Sequence, residues 1–220
     1  MRVDPEVRAQ VQQICAVLLR YPQSSTPELV PLVSNRLSQL PDEISAELTQ
    51  FLDYLGRCSL MAVQRHYVET FDMRRKCSPY LTYWTHGDTR NRGMALLHFK
   101  EVYREAGLTI DDDELPDHLS VVLEFAGAGD ADLGNALLAE HRSVIALLHD
   151  ALDGIDSPYA HVVAAVVATT TELTPEDELL MAQLAGSGPP TETVGMAGPV
   201  DLTLTPFALG ASDASMGARR

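Results

Sequence analysis

The sequence predicts an all-α fold: a single-domain bundle of roughly eight helices over residues 1–185, followed by a flexible Gly/Pro/Ser-rich tail over 186–220. Three observations lead there. Apolar residues recur at three- and four-residue spacing along most of the first 185 positions. Pairs such as Asp4-Pro5 and Thr174-Pro175, the punctuation of helix starts, precede several of these stretches. The β-branched run Val162-Val-Ala-Ala-Val-Val167 favours a strand by propensity, but it has no second strand to pair with and is therefore expected as a buried helix.

The elements follow in order. Asp4 suits an N-cap and Pro5 a first turn, and Val7, Val11, Ile14, Cys15 and Leu18 form the stripe behind them. Thr26-Pro27-Glu28 opens a second helix through Leu29, Val33 and Leu37, and Asp42 a third through Ile44, Leu48, Phe51, Leu52 and Leu55. A fourth stretch carries Leu60, Val63, Tyr67 and Phe71 before charge and proline in Asp72-Met-Arg-Arg-Lys-Cys-Ser-Pro79 break the pattern into a loop. Helical spacing resumes from Thr89 to Ala106 on a cationic helix bearing Arg90, Arg92, Lys100 and Arg104, with Gly107 as the left-handed exit.

In the segment Glu114-Leu-Pro-Asp-His-Leu-Ser-Val-Val-Leu-Glu-Phe125, Pro116 is expected in the first turn of another helix, where its missing N–H costs nothing. Asp117 would complement the positive end of that helix dipole. Leu119, Val122, Leu123 and Ala126 form the burying stripe, Asp117, Ser120 and Glu124 share another sector, and His118 lies at the margin. After a glycine-containing turn, Leu133, Leu137, Val144, Ile145, Leu148 and Leu152 fall on one face of a single long helix. Ser157-Pro158 starts the next, and Thr174-Pro175-Glu176 the last, which fades near Gly186. Beyond it only Val200 to Phe207 shows alternation suited to local docking or pairing.

Composition bounds the function. With 220 residues, 45% hydrophobic and 21% charged, the chain can bury a substantial core. It carries no secretory h-region and no long uninterrupted apolar window, so a cytoplasmic location without membrane insertion is expected. Cys15, Cys58 and Cys77 lack paired spacing, which points to reduced thiols. The net charge of −15 is split unevenly: residues 1–104 hold 13 bases and 11 acids, whereas residues 105–218 hold 20 acids against Arg142 alone. That half repels nucleic acid and favours a basic partner.

No catalytic or metal site is signalled. Neighbouring helical residues point about 100° apart, so Asp117 is badly placed to orient His118 as a general base. The acidic run Asp111-Asp112-Asp113-Glu114 lacks the glycine and the distal glutamate of a calcium loop. Histidine pairs at metal-binding spacing, phosphate-binding loops and nucleophile elbows are absent from the sequence. A small soluble enzyme or metal-binding protein using Asp117 and His118 is the competing class. The favoured one is a binding module that takes an amphipathic basic helix into an apolar groove with acidic walls.

The run from His66 to Leu108, HYVETFDMRRKCSPYLTYWTHGDTRNRGMALLHFKEVYREAGL, followed by ELPDHLSVVLEFA, resembles the assembly chaperones of respiratory nitrate reductase, the NarJ type or delta subunit, within the TorD-like molybdoenzyme chaperones. The resemblance is near-continuous over this block, weaker on either side and absent from the tail. It implies an all-helical chaperone, not an enzyme, that binds the N-terminal segment of the apo catalytic (alpha) subunit and supports molybdenum cofactor insertion. It also implies a peptide-binding signature at Glu114, Pro116, Asp117 and His118, with Leu115 inserted after the acid, and at Tyr67 and Phe71. No cofactor would be held permanently. Arg74, Arg75, Arg90 and Arg92 would either touch the phosphates of molybdopterin guanine dinucleotide transiently or pair with the chain's own acids. A homodimer is left open.

Overall fold

The computed structural model describes residues 3–110 and 115–190. Among them the fold is all-α, with eleven α-helices and no β-structure beyond one isolated bridge between Tyr80 and His118. The helices are α1 (Pro5–Leu18), α2 (Thr26–Leu37), α3 (Asp42–Arg57), α4 (Leu60–Tyr67), α5 (Tyr83–His86), α6 (Arg90–Glu105), α7 (Leu119–Ala128), α8 (Ala131–Glu140), α9 (Arg142–Asp153), α10 (Tyr159–Val167) and α11 (Pro175–Ser187). The tail expected from residue 186 begins later, since α11 runs to Ser187, and its part beyond Pro190, including Val200 to Phe207, lies outside the described residues. None of the described helices is long and apolar enough to cross a membrane.

Local chemistry sets several boundaries where the sequence puts them. Asp4 caps α1 by accepting from the Glu6 N–H at 2.9 Å, with Pro5 in the first turn. Thr174 and Asp177 form a reciprocal capping box on α11. Gly107, at φ 76°, closes α6, and the Leu108 N–H reaches back to the Tyr103 carbonyl at 2.9 Å.

Three features differ from expectation. The long helix after residue 130 is two helices, because His141 and Arg142 take α8's last carbonyls: His141 Nδ1 lies 3.0 Å from the Leu137 oxygen, and Arg142 Nη1 donates to Ala139 at 3.0 Å. α4 runs into a π-helical turn, Val68–Asp72, followed by a 3-10 turn at Arg75–Cys77. The third difference matters most for the site. α7 begins at Leu119 with His118 as its N-cap, so Pro116 and Asp117 precede the helix and do not form its first turn.

α7 is the buried centre of the bundle, packed by α1 on one side and α8 on the other. Leu119, Val122 and Leu123 are fully buried, each contributing about 1.5–3 kcal/mol of apolar burial. The two approaches depend on glycine: a Cβ at Gly127 would stand 2.9 Å from the Ala9 oxygen, and one at Gly134 only 2.4 Å from the Ala126 Cα. α10 packs against α3, α9 and α1, and its Val162, Val163, Ala165 and Val166 are all buried, as the strand-like run without a strand partner implied. At the start of α10, Tyr159 gathers Phe51, Phe71 and Tyr67 at centroid distances of 4.9, 4.9 and 5.7 Å. These spacings suit tilted and edge-to-face ring packing.

Candidate functional site

The segment ahead of α7 is held from three directions. The Leu81 N–H donates to the Asp117 carbonyl at 3.0 Å, and the Leu119 N–H donates to the Pro79 carbonyl at 2.9 Å, a short antiparallel pairing of two non-helical strips. The Tyr103 hydroxyl, from α6, donates to the Pro116 carbonyl at 2.7 Å. Proline explains why the segment stays extended: it supplies no N–H and disfavours helix in the residue before it. Residues 116–119 are thereby fixed by contacts 13 to 40 positions away in the chain.

Asp117 is completely buried. Its Oδ2 accepts from the Thr82 hydroxyl at 2.6 Å and the Thr82 N–H at 3.1 Å, and Arg92 Nη2 stands 3.7 Å away. Its other oxygen, Oδ1, is buried without a hydrogen-bond partner among the described residues. Arg92 is itself sandwiched by aromatic rings, 5.3 Å from the Tyr80 centroid and 5.5 Å from that of Tyr83, and reaches Asp88 at 3.6 Å. The result is a rigid polar node, Asp117–Thr82–Arg92, walled by Tyr80 and Tyr83.

The His118 side chain hydrogen-bonds to Ser120 and to no member of this node. Its Nδ1 accepts from the Ser120 N–H at 3.2 Å and lies 2.7 Å from the Ser120 hydroxyl, while its ring meets Tyr80 edge-on at 5.1 Å. Burial, opposed by Asp117 and aided by Arg20, lowers its pKa to about 4. An imidazole can cap a helix through Nδ1 only while that nitrogen is unprotonated, so burial and capping require the same neutral form. Asp117 and His118 thus serve different partners, Thr82 and Arg92 for the carboxylate and Ser120 for the imidazole.

Beside this segment an open groove of about 400 Å³ runs between the end of α6 and α7, with Leu108, Ile110, Val121 and Phe125 among its lining residues and Glu124 on its wall. Tyr103, which also holds Pro116, forms part of the same lining. Leu108 of this lining is exposed. Glu124 pairs with Arg20 of the chain itself.

The remaining residues singled out in the sequence are dispersed. Glu114 lies outside the described residues. Tyr67 and Phe71 are 6% and 5% exposed, packed around Tyr159, so the structure places them in the core rather than on a peptide-facing surface. Arg92 is spent on the buried node, and Arg75 donates to the Tyr83 hydroxyl and to the Pro189 and Pro190 carbonyls. Arg74 and Arg90 are exposed. Thr82, Tyr80, Tyr83 and Tyr103 were missed in the sequence. The one available signal was the aromatic density from Tyr80 to Trp84. Among the described residues no group of three or more His, Cys, Asp or Glu could hold a metal ion.

The fold and the node define an all-α protein with an open groove, lined in part by apolar side chains, next to a buried polar segment. Residues 37–165, more than half of the chain, match the family described as nitrate reductase delta subunit, and the chain belongs to that family. It is 40% identical over 159 residues to the nitrate reductase-like protein NarX of Mycobacterium tuberculosis, covering 72% of this chain and 24% of that protein. It is 32% identical over 152 residues to the probable nitrate reductase molybdenum cofactor assembly chaperone NarJ of Bacillus subtilis, covering 69% of this chain and 83% of that one. Similarity to NarJ of Escherichia coli K12 is 33% over 121 residues, about half of each protein. The chain therefore spans about a quarter of the length of NarX and most of the Bacillus relative.

Proposed function

We propose that this protein is a chaperone for nitrate reductase maturation, which binds the N-terminal segment of the apo catalytic subunit and supports molybdenum cofactor insertion without catalysing a reaction itself. The observation that carries the reading is the groove between α6 and α7, whose lining tyrosine, Tyr103, is hydrogen-bonded to the signature segment at Pro116. Leu108, Ile110, Val121 and Phe125 of the cleft offer apolar contacts to a helix face, and the acids at 111–114 follow Ile110 directly in sequence. Family membership and the names of the Bacillus and Escherichia relatives support the same assignment. In this reading Arg74 and Arg90, both exposed, are the candidates for transient contact with the cofactor's phosphates.

The test is calorimetric titration of the full chain with a synthetic peptide of the catalytic subunit's N-terminal segment. Binding is expected for the native protein and is expected to fall at least about tenfold for Leu108→Glu, which places a charge on the rim of the groove at an exposed position. No binding by the native protein, or equal binding by the variant, overturns the assignment of the groove.

A further inference from the structure

The end of α11 reaches the polar node from the opposite direction in sequence. Gly188, at φ 67°, turns the chain out of the helix, and the next two residues lie against Arg75. Arg75 Nη2 donates to the Pro189 carbonyl at 2.9 Å and to the Pro190 carbonyl at 3.3 Å, while its Nε donates to the Tyr83 hydroxyl at 2.9 Å. Two consecutive prolines offer carbonyl acceptors with no N–H between them, which matches a guanidinium that only donates. On the far side, Gly87 has φ 56°, and a Cβ there would stand 1.8 Å from the Pro190 oxygen and 2.7 Å from its carbon. Only glycine admits the chain at that point.

Tyr83 is the hinge between this contact and the node. Its hydroxyl holds Arg75, and its ring lies 5.5 Å from the Arg92 guanidinium, which pairs with Asp117. Asp117 follows Pro116, which Tyr103 ties to the groove. A connected set of contacts therefore runs from Pro190 to the groove, although residues 75 and 190 are 115 positions apart.

We propose that residues 188–190 are a latch: closed, they occupy the Arg75–Tyr83–Gly87 surface that an extended, carbonyl-presenting continuation of the client segment takes when the latch opens. The inference rests on the proposed chaperone reading and adds an occupant supplied by the chain itself. A segment that must first displace the latch binds with an apparent affinity reduced by the fraction of molecules that are open, so weakening the latch tightens client binding.

Two full-length variants test this. Gly188→Val strains the turn at φ 67° that brings the two prolines to Arg75, and the double substitution Pro189→Gly with Pro190→Gly loosens the segment, each leaving Arg75, Tyr83 and Gly87 in place for the client; the second carries the test should the first fail to fold by circular dichroism. Hydrogen exchange at Ser187, Gly188 and Tyr83–Gly87 reads the latch, and calorimetry with the synthetic N-terminal peptide of the catalytic subunit reads its consequence. We expect exchange to rise at least about tenfold and peptide affinity to rise about fivefold or more. Unchanged exchange in the folded variants overturns the latch, as does raised exchange with equal or weaker peptide affinity, and in either case native binding leaves the chaperone reading standing. No peptide binding by the native protein or by either variant overturns both.

Discussion

Asp117 sits where no part of it meets solvent, and Arg92, whose side chain is 16% exposed, is the nearest cation. Removing one member of such a pair leaves the other buried and uncompensated. Asp117→Ala should therefore lower unfolding free energy by about 3 kcal/mol in urea denaturation, and adding Arg92→Met should recover part of that loss. His118 makes a pH-dependent contribution of defined sign. Its pKa falls from 6.5 to about 4 on folding, so the unfolded chain binds more protons between those values. The stability it contributes is complete above pH 6.5 and drains away as pH falls toward 4, by on the order of 3 kcal/mol. His66 and His141, also lowered by burial, act in the same direction. His118→Asn retains a capping acceptor that does not titrate, so its stability should decline less steeply over this range than that of the native chain.

Helix packing depends on which glycines face a neighbour. Gly134 meets α7 so closely that Gly134→Ala should destabilise by about 1–3 kcal/mol through overpacking. Gly93, at an exposed position of α6, has nothing within 4 Å of a built Cβ, and Gly93→Ala should stabilise by about 0.5–1 kcal/mol. Thermal and urea melts of the two variants should move in opposite directions. The same division between local and distant causes decides what the sequence could reveal. Asp4, Thr174 and Gly107 act on backbone within four residues, and the boundaries they set are readable from their neighbours. The start of α7 was not readable, because the preceding strip is held by Pro79 and Leu81 from another part of the chain. The break at His141 depends on which carbonyls two side chains reach. Within the site, Asp117 and His118 stood out through an adjacent-residue pattern, but Thr82 and Arg92, 35 and 25 positions earlier, acquire their role only when folding brings them to Asp117. Tyr67 and Phe71 show the converse. Their spacing announced a helix stripe correctly, and the structure adds that the stripe faces the Tyr159 ring cluster.

Across the molecule, the division between a mildly basic first half and a strongly acidic second half is partly folded into the tertiary structure. Arg20 pairs with Glu124 and Arg92 with Asp117, each joining one half to the other. The acidic side chains left exposed still give a negative field that would speed the encounter with a basic client segment. Such attraction is screened beyond about 8 Å at physiological ionic strength. Peptide affinity should therefore fall severalfold between low and physiological salt, mainly through the association rate, and calorimetry with stopped-flow mixing at the two ionic strengths checks this.

The cysteines have a practical consequence. Cys15 and Cys77 are buried, and burial raises both thiol pKa values, whereas Cys58, at the junction of α3 and α4, is partly accessible. Maleimide dyes should therefore attach to the native chain at a single preferred place, making Cys58 a built-in anchor for fluorescence labelling that leaves the interior untouched.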